Sequence, residues 1–224
     1  MKRNVFIAEF MGTFALVFAG CGAIAVNSVY GGVLGHTGIS FVFGLIVMAM
    51  IYSIGNISGA HINPAVTMGF VFAGRLKARL ALPYILSQSA GAVAASFLLK
   101  LTLSPDADPG LTMPSGSQSQ AFLMEVVLSF LLMFVILNVS TGHKEKGIMA
   151  GVAIGGTVAL EAMFGGPVSG ASMNPARSLG PALSAGDLSQ LWIYLTAPVL
   201  GTLLASPSCR WIQGSECCHV AGRS

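Results

Sequence analysis

The sequence predicts an all-α membrane protein with six transmembrane helices and two re-entrant half-helices in an inverted repeat. Three observations predict it. The 224 residues are 54% hydrophobic and 8% charged, against about 25% charged in a soluble domain. Mean hydropathy is +0.78. The string SGAHINPAVT at 58–67 returns as SGASMNPARS at 169–178, identical at six of ten positions with an offset of 111. So few charges cannot cover a water-facing surface, so lipid is the outer solvent. The formal net charge of +3 carries no nucleic-acid signal, because the basic residues are dispersed between apolar spans rather than gathered in a patch.

A span needs about 20 apolar residues to cross roughly 30 Å of hydrocarbon. Six stretches meet this: 4–26, 38–57, 82–103, 119–141, 147–165 and 189–210. Two apolar pieces, 63–73 and 174–184, are too short to cross, and each opens with Asn-Pro-Ala. Asparagine is a strong N-cap, and proline suits the first helical turn, where its missing N–H would be unpaired anyway. Both pieces therefore read as half-helices. Lys2 and Arg3 before an apolar run ending Ala19-Gly20-Cys21 look like a lipoprotein signal. Glu9 inside that run and the spans that follow argue against cleavage.

Charge placement sets the orientation. With the N-terminus inside and the spans alternating, Lys2, Arg3, Arg75, Lys77, Arg79, Lys144, Lys146, Arg210 and Arg223 fall on the cytosolic side, nine of the eleven basic residues. The outer loops carry Asp106, Asp108 and Asp187. This is a positive-inside pattern; Lys100 can snorkel from the outer end of the third span. Both termini are expected in the cytosol of a multi-pass protein of the cell or plasma membrane. A single channel domain is expected over 1–210, with repeats at about 4–103 and 119–210 and a cytosolic tail at 211–224. Cys209, Cys217 and Cys218 fall at or near that tail, where a reducing compartment argues against disulfides.

The repeat also pairs Glu9 with Glu125 and Gly91 with Gly201. Each half has three spans, an odd number, so the halves insert with opposite orientation. Inverted repeats place the permeation site near the midplane, where broken helices meet. Non-helical backbone at that depth survives only when buried in protein or lining a wet cavity. Residues 58–62 and 169–173 are such backbone. Their carbonyls can form a ladder of acceptors, and their N–H groups need partners on the protein side. Glu9 and Glu125 are expected to brace them, since intramembrane carboxylates are costly and functional. The alternative is a protonated glutamate bonded between helices.

Asn63 and Asn174 are expected to meet at mid-membrane. Each offers amide N–H donors to a passing oxygen, and each half-helix N-terminus adds about half a positive charge. That arrangement opposes protons and other cations and passes a neutral dipole. Arg177 breaks the repeat, with Val66 as its counterpart. A lone arginine in a span is costly, but at the outer mouth of a wet pore it is hydrated and repels cations. The alternative is an arginine paired structurally with a carbonyl.

The paired boxes Asn63-Pro64-Ala65 and Asn174-Pro175-Ala176, the first-span string AEFMGTF and the string NPARS together resemble the aquaporin (major intrinsic protein) family over about 4–205. FGLIVMAMIYSIGNISGAHINPAVT and GPVSGASMNPARSLGPA look most like plant nodulin-like intrinsic proteins and their bacterial relatives. The resemblance implies a channel for water, glycerol and neutral metalloid hydroxides such as arsenite, silicic acid and boric acid, and a homotetramer. It places Arg177 in an outer selectivity filter with Phe43, Ala162 and Ala171. A water-selective member of the family usually has histidine where this chain has Ala162, so the constriction is expected to be wider, with one apolar wall. Plant members often carry tryptophan, or a residue smaller than Phe, at Phe43. Glycerol facilitators carry aspartate where this chain has Ser178. The pattern is mixed, and a water-selective channel stays open as the alternative.

Glu161, beside Ala162, either points into the vestibule and binds hydroxyls or is a protonated residue between helices. His61 is expected in the cytosolic vestibule, bonded to loop backbone. Gly12, Gly44, Gly55, Gly91, Gly155 and Gly201 are expected at close helix crossings, and 104–119 as an extended outer connection. Adjacent Cys217 and Cys218 with Cys209 and His219 fit a tetrahedral zinc site poorly, so no metal and no cofactor is expected. The partners are water, small neutral solutes and the lipid bilayer. A secondary transporter also uses inverted repeats, but Glu161 is its one loose candidate for a coupling site. A junction protein with a vestigial pore is a third class. No nucleophile–base pair suggests an enzyme.

Overall fold

The computed structural model describes residues 4–104, 107–140 and 144–214, and of 144–147 and 213 the backbone alone. Eight α-helices follow in order: α1 (Asn4–Val29), α2 (Gly35–Ser58), α3 (Pro64–Phe72), α4 (Ala81–Thr102), α5 (Gln118–Val139), α6 (Lys144–Ser169), α7 (Pro175–Ala185) and α8 (Leu191–Gln213). A 3-10 turn at Ala78–Leu80 precedes α4, and the described residues contain no strand. Six helices are long and apolar enough to span. The other two have 9 and 11 residues, about 14 and 17 Å at 1.5 Å per residue, half a bilayer core.

The span ends shift from their sequence positions where local hydrogen bonding decides. The fifth span continues past 165 to Ser169, through Pro167. A helical proline leaves the carbonyl four residues back unpaired; here the ring Nε2 of His36 donates to Met163 O at 2.8 Å. The loops then begin one residue later than expected, at Gly59 and Gly170. Both take left-handed φ, 90° and 84°, and donate back to Gly55 O and Gly166 O, each at 2.9 Å. A capping box opens α5: Ser117 Oγ accepts from Gln120 N, and Gln120 Oε1 accepts from Ser117 N. The last helix runs to Gln213, past the expected end at 210.

The packing follows the repeat. In the first half α1 packs on α4, and in the second half α5 packs on α8; α2 crosses α6 between the halves. Side chains are excluded from these crossings. A Cβ at Gly91 would sit 3.0 Å from Phe14 N, and one at Gly201 2.9 Å from Phe130 N. Gly44 and Gly155 face each other's carbonyl oxygens in the same way. Gly55 differs from expectation: a Cβ there meets nothing within 4 Å, so it marks no crossing.

The two halves also interlock. Half-helix α3 packs on α8 of the second half, and α7 packs on α4 of the first. Thr202 Oγ1 of α8 donates to Ala65 O of α3 at 2.9 Å. Lys100 does more than snorkel: its Nζ donates to Ser184 O at 2.9 Å, placing a cation at the C-terminal turn of α7, where the helix dipole favours it. Outward-facing Ile7, Phe41, Leu82, Leu123, Leu160 and Leu200 are exposed, as a lipid-facing surface requires. Cys21 is a free, buried thiol. Cys209 is fully buried on α8. Cys217, Cys218, His219, Arg223, Lys2, Arg3 and Asp106 lie outside the described residues.

Candidate functional site

A cavity of 140 Å³ runs through the bundle from Arg177 and Phe43 at one end to Phe70 and Ser140 at the other. One wall is aliphatic, with Val47, Ile51, Leu132, Ile136, Ile154 and Val158. The other is made of the two non-helical segments and both asparagines. The separation of an apolar wall from a polar one follows from the fold: full spans bring side chains, and the re-entrant loops bring backbone.

The asparagines are held in a reciprocal arrangement. Asn63 sits at φ −157°, ψ 120°, an extended N-cap whose side chain accepts from Ala65 N and Val66 N. Asn174 does the same with Ala176 N and Arg177 N. Their amide nitrogens cross between the halves: Asn63 Nδ2 donates to Met173 O at 2.8 Å, and Asn174 Nδ2 to Ile62 O at 2.9 Å. An amide nitrogen carries two donors. One is used between the halves, which leaves one on each asparagine. The two half-helix N-termini meet here, each worth about half a positive charge.

The loops behind the asparagines have every N–H accounted for. In the first half Ala60 N bonds Ser58 Oγ, while His61 N and Ile62 N bond the two oxygens of Glu9 at 2.9 and 2.7 Å. In the second half Ala171 N bonds Ser169 Oγ, while Ser172 N and Met173 N bond the two oxygens of Glu125 at 2.8 and 2.7 Å. The carbonyls of 59–61 and 170–172 accept nothing from the described residues and flank the cavity. Ala60, Ile62, Ala171 and Met173 are all at positive φ, from 41° to 53°, a region costly for side-chain-bearing residues, about 1–3 kcal/mol each. The buried glutamates hold this strained backbone in place.

Sequence reasoning missed several members of these networks. Tyr84 and Tyr194 occupy equivalent places, donating to Ser58 O and Ser169 O, each at 2.7 Å. Each precedes its half's paired glycine, Gly91 or Gly201, by seven residues, a signal available in the sequence. Gln88 donates to Glu9 Oε2 at 2.7 Å and to Thr67 Oγ1 at 3.0 Å. His61 bonds the Thr67 hydroxyl at 3.1 Å, not loop backbone as expected, and its ring lies between Phe70 and Tyr84. Glu9 takes the N–H groups of His61 and Ile62, and the imidazole Nδ1 meets the Thr67 hydroxyl.

At the end of the cavity opposite Phe70 and Ser140, Phe43, Ala162, Ala171 and Arg177 converge. The guanidinium carbon of Arg177 stands 5.0 Å from the Phe43 ring centroid, a cation–π distance. Arg177 Nη1 donates to Gly110 O at 2.6 Å, while buried Nε has no partner among the described residues. The outer connection is therefore more than a tether: it folds into the mouth and supplies that carbonyl. Thr112 Oγ1 from the same stretch donates to Ser178 Oγ at 2.8 Å, and Ser178 shares a 2.6 Å bond with Ser172. Glu161 is buried beside Ala162 but is not among the cavity-lining residues, and neither carboxyl oxygen has a partner among the described residues. No cluster of three or more His, Cys, Asp or Glu able to hold a metal occurs among the described residues.

Six apolar helices around a cavity, with two half-helix N-termini meeting at its wall, define a channel-forming protein of the membrane. The chain belongs to the major intrinsic protein family, whose pattern matches residues 2–207. It is 46% identical over 199 residues to aquaporin NIP1-1 of Zea mays, covering 88% of this chain and 70% of that one. Putative aquaporin NIP4-1 of Arabidopsis thaliana is 48% identical over the same length, with the same two coverages. The aquaglyceroporin from Plasmodium falciparum superposes with a TM-score of 0.82 at 25% identity, covering 94% of this chain and 96% of that one. The chain is an integral multi-pass membrane protein and a passive channel for water and small solutes.

Proposed function

We propose that this channel passes water together with small uncharged polyhydroxyl solutes, glycerol and neutral metalloid hydroxides among them, and excludes protons and ions. The observation that carries the solute range is the pair Ala162 and Ala171, whose small apolar side chains line the cavity beside Phe43 and Arg177. The alanines leave room for a carbon backbone. The free Nε of Arg177 and the unengaged loop carbonyls suit its hydroxyls. The similarity to an aquaglyceroporin structure supports the same range.

Asn63 and Asn174 with Pro64, Ala65, Pro175 and Ala176 form the midplane site. A water oxygen there accepts from the remaining amide donor of each asparagine, so both its lone pairs are engaged and it cannot accept a proton from its neighbour. The converging half-helix dipoles and Arg177 add positive potential against cations. Glu9 and Glu125 act as braces rather than ligands. The chain works as one channel domain over 1–210 with a tail at 211–224, both termini cytosolic, in the cell membrane, as a homotetramer; the positive-inside pattern and the family resemblance support this.

Stopped-flow light scattering on proteoliposomes tests the reading with water, glycerol, urea and arsenite. Fast flux of water and glycerol without ion dependence supports it. Fast water with neither glycerol nor arsenite would make this a water-selective channel, and saturable, ion-dependent uptake would make it a transporter.

A further inference from the structure

The constriction draws its side chains from α2, α6, the loop before α7 and α7 itself, and its carbonyl from the 104–119 connection. Helix α1 lends it none, yet two consecutive α1 residues lie directly behind both groups that hold Arg177. A Cβ built on Gly20 would fall 2.5 Å from Cδ1 and from Cζ of Phe43, with Cε1 nearer still. The Phe43 ring thus lies against bare α1 backbone, with the Arg177 guanidinium carbon 5.0 Å from its centroid. The next residue, Cys21, is fully buried and backs Gly110. A Cβ on Gly110 would fall 2.9 Å from Cys21 Cβ and 3.0 Å from Sγ, and Gly110 is already at φ +77°. Gly110 O in turn accepts from Arg177 Nη1.

Helix α2 has no room to retreat. The residue after Phe43 is Gly44, where any Cβ would strike Gly155 O and lie 2.6 Å from Ala159 Cβ on α6. Added bulk at position 20 must therefore move the ring, not the helix that carries it, and the open direction is the cavity that Phe43 lines.

We propose that the Gly20–Cys21 step of α1 is a positioning element that sets the aperture of the constriction, a determinant of solute size that touches no solute. It rests on the reading of Phe43 and Arg177 as the constriction. Gly20 fixes how far the ring stands back from the lumen, and Cys21 fixes how far the Gly110 carbonyl reaches toward Arg177.

The test is a cycle of four proteins in proteoliposomes: the natural chain, Gly20→Ala, Phe43→Ala and the double variant, each assayed for water and glycerol. Alanine favours a helix more than glycine does, so any loss does not come from α1 itself. Gly20→Ala should lower the glycerol-to-water flux ratio roughly 10-fold, the discrimination one carbon commands in a tight site. In the Phe43→Ala background the same change should leave the ratio where it was. Equal effects in both backgrounds, or none with Phe43 present, overturn the inference while leaving the constriction intact. If Phe43→Ala alone leaves the ratio unchanged, the constriction reading falls and takes the inference with it. If the natural chain excludes glycerol, the cycle is read on water flux, which Gly20→Ala must lower only when Phe43 is present. If Gly20→Ala is not recovered folded, Gly20→Ala/Phe43→Leu must be, because the smaller side chain vacates the space; failure of that variant to fold overturns the inference.

Discussion

Replacing Glu9 by glutamine changes one oxygen into an amide nitrogen with little change in shape. Three donors converge on the natural carboxyl: His61 N at Oε1, and Ile62 N and Gln88 Nε2 at Oε2. If the new NH₂ takes the Oε2 place, Gln88 can flip its own amide and recover its bond, but Ile62 N then faces a donor. If it takes the Oε1 place, His61 N does. One backbone N–H is orphaned either way. An unsatisfied buried donor costs about 1–3 kcal/mol. It falls on a loop already strained at Ala60 and Ile62, with φ 47° and 43°, so the loss concentrates where the backbone is least able to absorb it. For a chain of this length that is a fall of roughly 2–12 °C in melting temperature, at about 2–4 °C per kcal/mol. The assay is thermal unfolding of the purified variant in detergent, followed by solute ranking in proteoliposomes. Glu9→Gln should lose stability while the ranking of glycerol, urea and water stays as it was. A variant with unchanged melting temperature and an altered ranking would refute the bracing role and place Glu9 in the permeation path.

Three further outcomes are expected. Asn174→Asp and Arg177→Val each remove positive potential from the pore, so each should let protons or cations accompany water; a pH-sensitive dye trapped in the liposomes reads this, and a leak already present in the natural chain contradicts the exclusion mechanism. Ala162→His restores an imidazole to the constriction and should cut glycerol or arsenite flux far more than water flux, as parallel flux assays will show. His36→Ala strips Met163 O of the donor that replaces the missing proline N–H, and should cost about 1 kcal/mol of stability, a typical net hydrogen bond, with no change in selectivity; unaltered thermal unfolding would mean that another donor takes over that carbonyl.

The spans and half-helices were legible because their signals are local. A stretch of about 20 apolar residues and an Asn-Pro start each state their structure without reference to the rest of the chain. The repeat added the one long-range fact that could be read directly, the matched placement of Asn63 with Asn174 and of Glu9 with Glu125. What stayed hidden depends on chain returning from elsewhere. Nothing in the composition of 104–119 says that the Gly110 carbonyl reaches Arg177, because any residue has a carbonyl. Helix continuation through Pro167 depends on His36, 131 positions before that proline and linked to it by neither motif nor period, so the sequence places the span end short. Nor does the sequence say that the His61 ring meets the Thr67 hydroxyl rather than loop backbone, because that choice depends on where the ring points. Gly55 was read as a crossing from its residue type alone, and only coordinates reveal the open space beside it.

The crossed bonds from Asn63 to Met173 and from Asn174 to Ile62 have a consequence for how the molecule comes into being. Each half completes its partner's midplane, so neither half can build a finished pore alone. When the first three spans leave the ribosome, the Asn63 amide has no acceptor and the Ile62 carbonyl no donor. Both wait, at membrane depth, for residues some 110 positions later. The most strained part of the protein is therefore the last to form, and a nascent chain conducts nothing until its second half has entered the membrane and docked. The two halves expressed as separate chains would have to find each other before either acquired a selective path.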